Sequence, residues 1–313
     1  MLFRSLSSLF TIVRISRIAN VLGAICITAS ARAQSREVPG RDLLAFPIGL
    51  IAEPAGLPGT GGLGVWSPAD AALPDGASWR GSLVALSTPS DLSMSAQAAT
   101  LSHRVGAYTV YGSWLRAAVA GIYRTDSDPL TIGNEVPYAT SVASLGAARA
   151  FGAHLTAGLA ARLRTGRLDF DSRRSVALDA GVVADHLTPV DARVAIATFL
   201  ASPWSTTAER ASVSFAADAR VSPAAARYRV RAGIASQVTQ RGPTDTFANA
   251  ALWIGGWDVH AGVALTDAYG ARNTRSRLGL GFTYGKYHVG LAREASPADL
   301  GSSYQFALTT TWP

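Results

Sequence analysis

From about residue 77 onward the chain alternates between bulky and small positions. Tyr228, Val230, Ala232 and Ile234 share one parity, with Arg229, Arg231, Gly233 and Ala235 between them. Leu278, Leu280, Phe282 and Tyr284 likewise alternate with Gly279, Gly281 and Thr283. A period of two places successive side chains on opposite faces of a strand, so the pattern predicts β-structure with one large-residue face and one small-residue face. Cutting it where Gly, Pro, Asp and Asn cluster predicts fourteen strands. They lie near 78–87, 92–104, 107–124, 138–150, 153–168, 174–186, 190–201, 209–220, 226–240, 244–256, 257–268, 274–285, 286–295 and 302–312. The last of these is apolar on one side (Tyr304, Phe306, Leu308, Trp312) and ends one residue before Pro313.

The connections are unequal. Those after the even-numbered strands include the tight turns "RVGA", "AFGA", "GGWD" and "YGKY". Several after the odd-numbered strands are longer and polar, such as "TDSDPLTIGNEVP" and "EASPADLGSS". An even strand number with short turns on one rim and longer loops on the other describes a bacterial outer-membrane barrel. The two faces agree with this. The small face, mostly Gly, Ala, Ser and Thr, lacks the volume to fill a protein core, whereas the bulky face has a natural partner in lipid. Closure then pairs every backbone group. The expected fold is therefore an all-β transmembrane antiparallel barrel of about fourteen strands. Aromatics near the strand ends (Trp79, Tyr123, Tyr138, Phe199, Trp204, Trp257, Tyr284, Tyr287, Tyr304, Trp312) fit interfacial girdles.

The charges within strands follow the small face. Arg162, Arg164, Asp179, Asp218, Arg229 and Arg231 all lie on it. An Arg facing the bilayer midplane costs about 2–4 kcal/mol, so these residues are expected to line the lumen. They either brace the barrel as ion pairs or contact a substrate. In strand 3, Tyr108, Val110 and Trp114 set one parity while Leu115, Ala117, Val119 and Tyr123 set the other. A bulge at Gly112, Ser113, Trp114 and Leu115 would reconcile them.

Residues 1–33 stand apart. Arg4, Arg14 and Arg17 precede the apolar stretch "IANVLGAICITA", and Ala31-Arg32-Ala33 offers a small-x-small cleavage site, which together predict an export signal removed after Ala33. The single cysteine, Cys26, lies in that segment, so the remaining chain has no disulfide or cysteine metal site. Four of the 28 basic residues and none of the 21 acidic ones also lie there, leaving 24 against 21. With a net charge this small and no basic cluster, nucleic-acid binding is excluded. Residues 34–76 are rich in Gly and Pro, without sustained periodicity, and are expected to fold against the barrel formed by 77–313. Gly59, Gly61 and Gly64 spell a dinucleotide fingerprint, but Pro58 and Pro68 deny it the strand before and helix after that the motif needs.

The stretch "FPIGLIAEPAGLPGTGGLGVWSPADAAL" resembles the N-terminal region of the long-chain fatty-acid transporter superfamily, and more closely its PorV-like branch. Pro47, Gly49, Gly64, Trp66 and Pro68 occupy the corresponding places. "SVALDAGVVADHLTPVDARVAIATFL" resembles a hairpin of the same family. Ser67 stands where the family has Asn, and Asp70 where it has Gly. The resemblance implies a fourteen-stranded barrel whose N-terminal segment forms a plug. It also implies either passage of hydrophobic molecules, with a lateral gate at a kink in strand 3, or docking of secreted proteins without transport.

Catalysis is not expected. None of His103, His154, His186, His260 and His288 is followed two residues later by Ser, and no metal-ligand spacing or cofactor motif is present. The expected partners are outer-membrane lipid, hydrophobic small molecules and, for the terminal strand, the barrel-assembly machinery. A general diffusion porin is the further alternative, although such pores carry a more charged constriction.

Overall fold

The structure is a computed structural model. It describes residues 37–45, 65–88, 93–125, 132–187, 191–201, 209–222, 228–240, 242, 244–268, 271–295 and 302–313. The predicted export signal, Pro47, Gly49, Gly64 and Trp204 lie outside these residues. The strands are β1 (Trp79–Thr88), β2 (Met94–Val105), β3 (Tyr108–Val119), β4 (Tyr123–Thr125), β5 (Ile132–Glu135), β6 (Tyr138–Phe151), β7 (Leu155–Leu168) and β8 (Asp171–Leu187). They continue with β9 (Ala192–Phe199), β10 (Ser212–Val221), β11 (Tyr228–Thr239), β12 (Thr244–Ile254), β13 (Trp257–Ala268), β14 (Ala271–Tyr284), β15 (Tyr287–Ala295) and β16 (Ser302–Trp312). Fourteen of them form one closed barrel, and β4 and β5 make a separate two-stranded hairpin in the connection from β3 to β6.

Neighbouring barrel strands are antiparallel, and β1 closes on β16 from Trp79 opposite Trp312 to Ser87 opposite Tyr304. Several turns on the rim where these two tryptophans meet are tight. Val105 pairs with Tyr108 and Tyr284 with Tyr287, leaving two-residue loops. Gly106 (φ 59°) and Gly285 (φ 58°) supply the positive φ that such hairpins demand. The opposite rim carries the long connections, including the β4–β5 hairpin. By the sidedness of such barrels, the first rim is periplasmic and the second external.

The outer wall is apolar. Leu83, Leu101, Leu145, Leu159, Ile234, Leu278 and Leu291 are each more than half exposed, as a lipid-facing surface requires. Aromatics ring the periplasmic rim at strand ends: Trp79, Tyr108, Phe151, Tyr228, Trp257, Tyr284 and Tyr287. In the terminal strand Tyr304 and Phe306 face outward, while Ser303, Gln305 and Ala307 are buried on the inner face.

Two girdle assignments need correction. Phe199 is 1% exposed and faces inward, its ring 4.3 Å from that of Trp66. Tyr138 packs, partly buried, against the same interior cluster. The parity change expected in strand 3 is also absent. β3 pairs with both β2 and β6 in unbroken register through Gly112, Ser113, Trp114 and Leu115, so no bulge forms there. Leu115, Ala117 and Val119 simply point inward and are buried. They can do so because the interior near the external rim holds protein: Leu43, Leu44, Val65 and Trp66 pack against them and against Val84, Leu86, Met94 and Val142.

Candidate functional site

The described parts of the N-terminal segment sit within the barrel. Residues 37–45 end in a one-turn helix, α1 (Asp42–Ala45), and 65–77 contain a 3-10 turn at Pro68–Ala71. Glycines of the inner wall make room for them. A Cβ at Gly166 would lie 2.0 Å from the Pro39 carbonyl oxygen, and one at Gly158 would lie 2.5 Å from the Pro68 carbonyl carbon. No side chain larger than hydrogen fits at either place.

Charged side chains on β7 and β8 hold the segment. Arg162 is buried, ion-paired with Asp179, and donates to the Val65 carbonyl and, at 3.3 Å, to Ser144 Oγ. Its guanidinium also lies 4.8 Å above the Phe199 ring. Asp179 accepts the backbone N–H groups of Leu200 (3.1 Å) and Ala201 (3.0 Å). Arg164 donates to Glu209 at 2.6 Å and to the carbonyls of Val38 (3.1 Å) and Pro39 (2.9 Å), while Ser175 donates to the other oxygen of Glu209 at 2.5 Å. In each case two full charges are buried together and share further hydrogen bonds with the segment or the wall, which favours a buried ion pair, although Arg162 Nη2 finds no hydrogen-bond partner among the described residues. Arg41, on the segment itself, faces both Glu37 and Glu209; burial nevertheless brings its pKa down to about 10.

A second group anchors the 3-10 turn. Arg193 pairs with Asp70, and Arg80 donates to the carbonyls of Asp70, Ala71 and Ala72, each at 3.2 Å. Arg104 grips Ala77 (2.9 Å) and Pro74 (2.7 Å) through their carbonyls. Asp218 takes Arg231 in a two-pronged pair at 2.6 and 2.7 Å. Of the six charged positions read from the sequence, the structure thus joins Arg162 to Asp179 and Asp218 to Arg231. Arg164 finds Glu209 instead, and Arg229 stacks over Trp253 at 4.9 Å near the periplasmic mouth.

Beside Trp253 lies a group that sequence reading missed. Asp258, buried on β13, meets His260 Nε2 at 2.5 Å and His288 Nε2 at 2.9 Å. Gly281 separates them on β14, where a Cβ would come within 2.2 Å of the Asp258 carboxylate. Asp258 and His288 stand 30 residues apart, so no local spacing could announce them. At the periplasmic rim, Asp185, His186 and Asp191 bring one ligand-type atom each within 4.8 Å of one another, although the sequence suggested no metal set. Their polar atoms are already engaged, His186 with Asp191 at 2.8 Å and Asp191 with Arg220 at 3.4 Å.

The lumen wall is therefore uneven: toward the external rim it is apolar on the side facing Leu43, Leu44 and Trp66, but polar and charged on β12 to β16, where Asp245, Arg275, Glu294 and Gln305 are buried. No family model matches the sequence, and no curated protein matches it. Among solved structures, the toluene transporter TbuX of Ralstonia pickettii superposes with a TM-score of 0.58 at 10% identity, covering 85% of this chain and 100% of that one. The two share a fold. Omp33 of Acinetobacter baumannii (TM-score 0.46, 6% identity, 75% of this chain and 98% of that one) is a more distant likeness. So is a porin mutant of Rhodopseudomonas blastica (0.38, 10% identity over the same 75%, and 99% of that chain). The fourteen-strand architecture implied by the fatty-acid-transporter resemblance is present. The chain is an outer-membrane β-barrel.

Proposed function

We propose that this barrel carries small hydrophobic compounds across the outer membrane, with aromatic hydrocarbons of the toluene kind as the first class to try. The observation that carries the reading is the apolar patch of inner wall near the external rim, formed by Leu115, Val119, Val142 and Phe199 and covered by Trp66 of the N-terminal segment. A water-filled porin keeps a polar interior, because ions and sugars must stay hydrated on the way through. A wall of Leu, Val and aromatic side chains favours a solute that gains by leaving water. The fold shared with a toluene transporter supports the same reading. The N-terminal segment serves as the plug in this scheme, held by Arg162, Arg164 and Arg193. The unbroken pairing of β3 gives no support to a lateral gate at Gly112–Leu115.

The test pairs two measurements on the same preparation: uptake of radiolabelled toluene by cells with and without the protein, and ion conductance of the barrel in a planar bilayer. Faster uptake with little steady conductance is expected. Steady conductance without toluene uptake would make it a diffusion porin. Neither, with a protein co-purifying in stoichiometric amount, would make it a docking barrel of the PorV-like kind.

A further inference from the structure

The two described parts of the N-terminal segment stand at opposite ends of the lumen. Residues 37–45 lie near the external rim, beside Gly166 of β7 and against β6, where a Cβ at Gly40 (φ 79°) would stand 3.2 Å from the Ala139 carbonyl oxygen. Residues 65–77 lie lower, over Gly158 and Gly181, and lead directly into β1. Side chains of the wall strands hold this lower part. Arg80 and Arg104 take its carbonyls, Arg193 takes Asp70, and its Leu73 N–H donates to Thr109 Oγ1 at 3.2 Å.

The upper part has a different kind of tie. Glu209 and Arg210 stand just ahead of β10, outside any wall strand, and both reach the segment. Arg210 Nε lies 3.2 Å from a Glu37 carboxylate oxygen, and Glu209 Oε2 lies 3.8 Å from Arg41 Nη1. The same Glu209 oxygen takes Arg164 at 2.6 Å, and Ser175 donates to the other at 2.5 Å. One carboxylate is thus the counter-ion of the wall and of the segment together. Arg164 is fully buried, lies against the Val38 and Pro39 carbonyls, and has no other carboxylate partner among the described residues. Stranding a buried charge is costly, and hydration is what relieves it. Water reaches Arg164 when residues 38 and 39 move off it.

On the reading of this segment as the plug, we propose that Glu209, seconded by Arg210, is a latch on its external end. The lumen opens at the external mouth by release of residues 37–45, while residues 65–77 stay in place. What the release uncovers gives it a use. Leu43 and Leu44 leave, and Leu115, Val119 and Val142 lose their cover, so an apolar solute entering from outside finds the patch those two leucines had filled. Solute and segment then compete for one surface. The two halves of the latch differ in their response to salt. Arg210 is half exposed, so its pair with Glu37 is screened, whereas the enclosed pair of Glu209 with Arg164 is screened little.

The test is thiol labelling of the purified barrel in detergent micelles, with the sole cysteine removed by Cys26→Ser. Single reporters Val38→Cys and Ala71→Cys, at two buried positions, mark the upper and lower parts, and their rates with a maleimide are compared with and without Glu209→Gln. Glu209→Gln should speed labelling at position 38 at least tenfold and leave position 71 unchanged. Arg210→Gln, or 1 M NaCl on the parent, should give a smaller gain, at position 38 alone. Heat-dependent gel mobility reports the closed barrel; if Glu209→Gln does not fold, the exposed Arg210→Gln and the salt series carry the same comparison. Equal rates at position 38 with and without these changes would overturn the latch, and so would position 71 speeding as much as position 38. Toluene uptake left unaltered by Glu209→Gln while position 38 is freed would refute the plug reading and leave the latch standing.

Discussion

Replacing Asp179 by Ala strikes the most enclosed of the interior pairs. The carboxylate is 1% exposed, as is Arg162, and it also accepts the backbone N–H groups of Leu200 and Ala201. Removing it strands a buried guanidinium and two amides. Breaking a buried pair from one side costs ~3–5 kcal/mol, largely because the surviving charge loses its compensation. The companion variant Asp179→Ala/Arg162→Met removes both charges and keeps apolar bulk. Such a replacement is close to neutral in other buried pairs, so the double variant should recover most of the loss. Some deficit will persist, since Arg162 also serves the Val65 carbonyl. Urea unfolding in lipid vesicles, followed by tryptophan emission, gives all corners of the cycle. A single variant within ~0.5 kcal/mol of wild type would mean that water reaches the pair and that the enclosed salt bridge is not the anchor described above.

Gly166→Val puts a side chain where the Pro39 carbonyl lies; it should expel residues 37–45 while leaving the barrel closed, seen as new steady conductance and new protease cleavage near Arg41. Leu278→Arg, at a lipid-facing position exposed by 63%, should destabilise the barrel in vesicles by ~2–4 kcal/mol, and a neutral result would contradict the face assignment. Asp258→Asn should loosen His260 and His288 at the periplasmic mouth, with a broadened imidazole NMR signal from each; unchanged spectra would show that the carboxylate does not hold them.

The strands were legible because a period of two, cut by turn residues, reports both the element and its faces. What failed was the equation of bulk with lipid. Leu115, Val119 and Phe199 are large and inward, and they were read as a bulge and a girdle because the interior was taken to hold only small residues. The sequence placed residues 34–76 against the barrel without saying which wall they would dress. The charged interior was half legible for a related reason. Alternation sends Arg162, Arg164, Asp179 and Asp218 to the lumen, but partners such as Glu209 for Arg164, or Asp70 for Arg193, stand 45 and 123 residues away and depend on barrel closure. His288 was missed as a partner of Asp258 on the same ground, whereas His260, two residues along the same face, lay within reach of the alternation.

The seam between β1 and β16 sets an order of assembly. Ser82 and Thr309, bonded across it at 3.1 Å, are 227 residues apart, so the ring stays open until nearly all the chain has been delivered. The segment that ends up inside leaves the synthetic machinery before any wall strand. It can therefore lie against the growing sheet, with β7 and β8 curling around it, and the last hairpin shuts the wall behind it. A closed, empty ring would instead have to swallow that segment end-on through a mouth lined with Arg80 and Arg104. Wrapping and threading are different journeys, and only the first lets the arginines find their carbonyls while the barrel still has an open side.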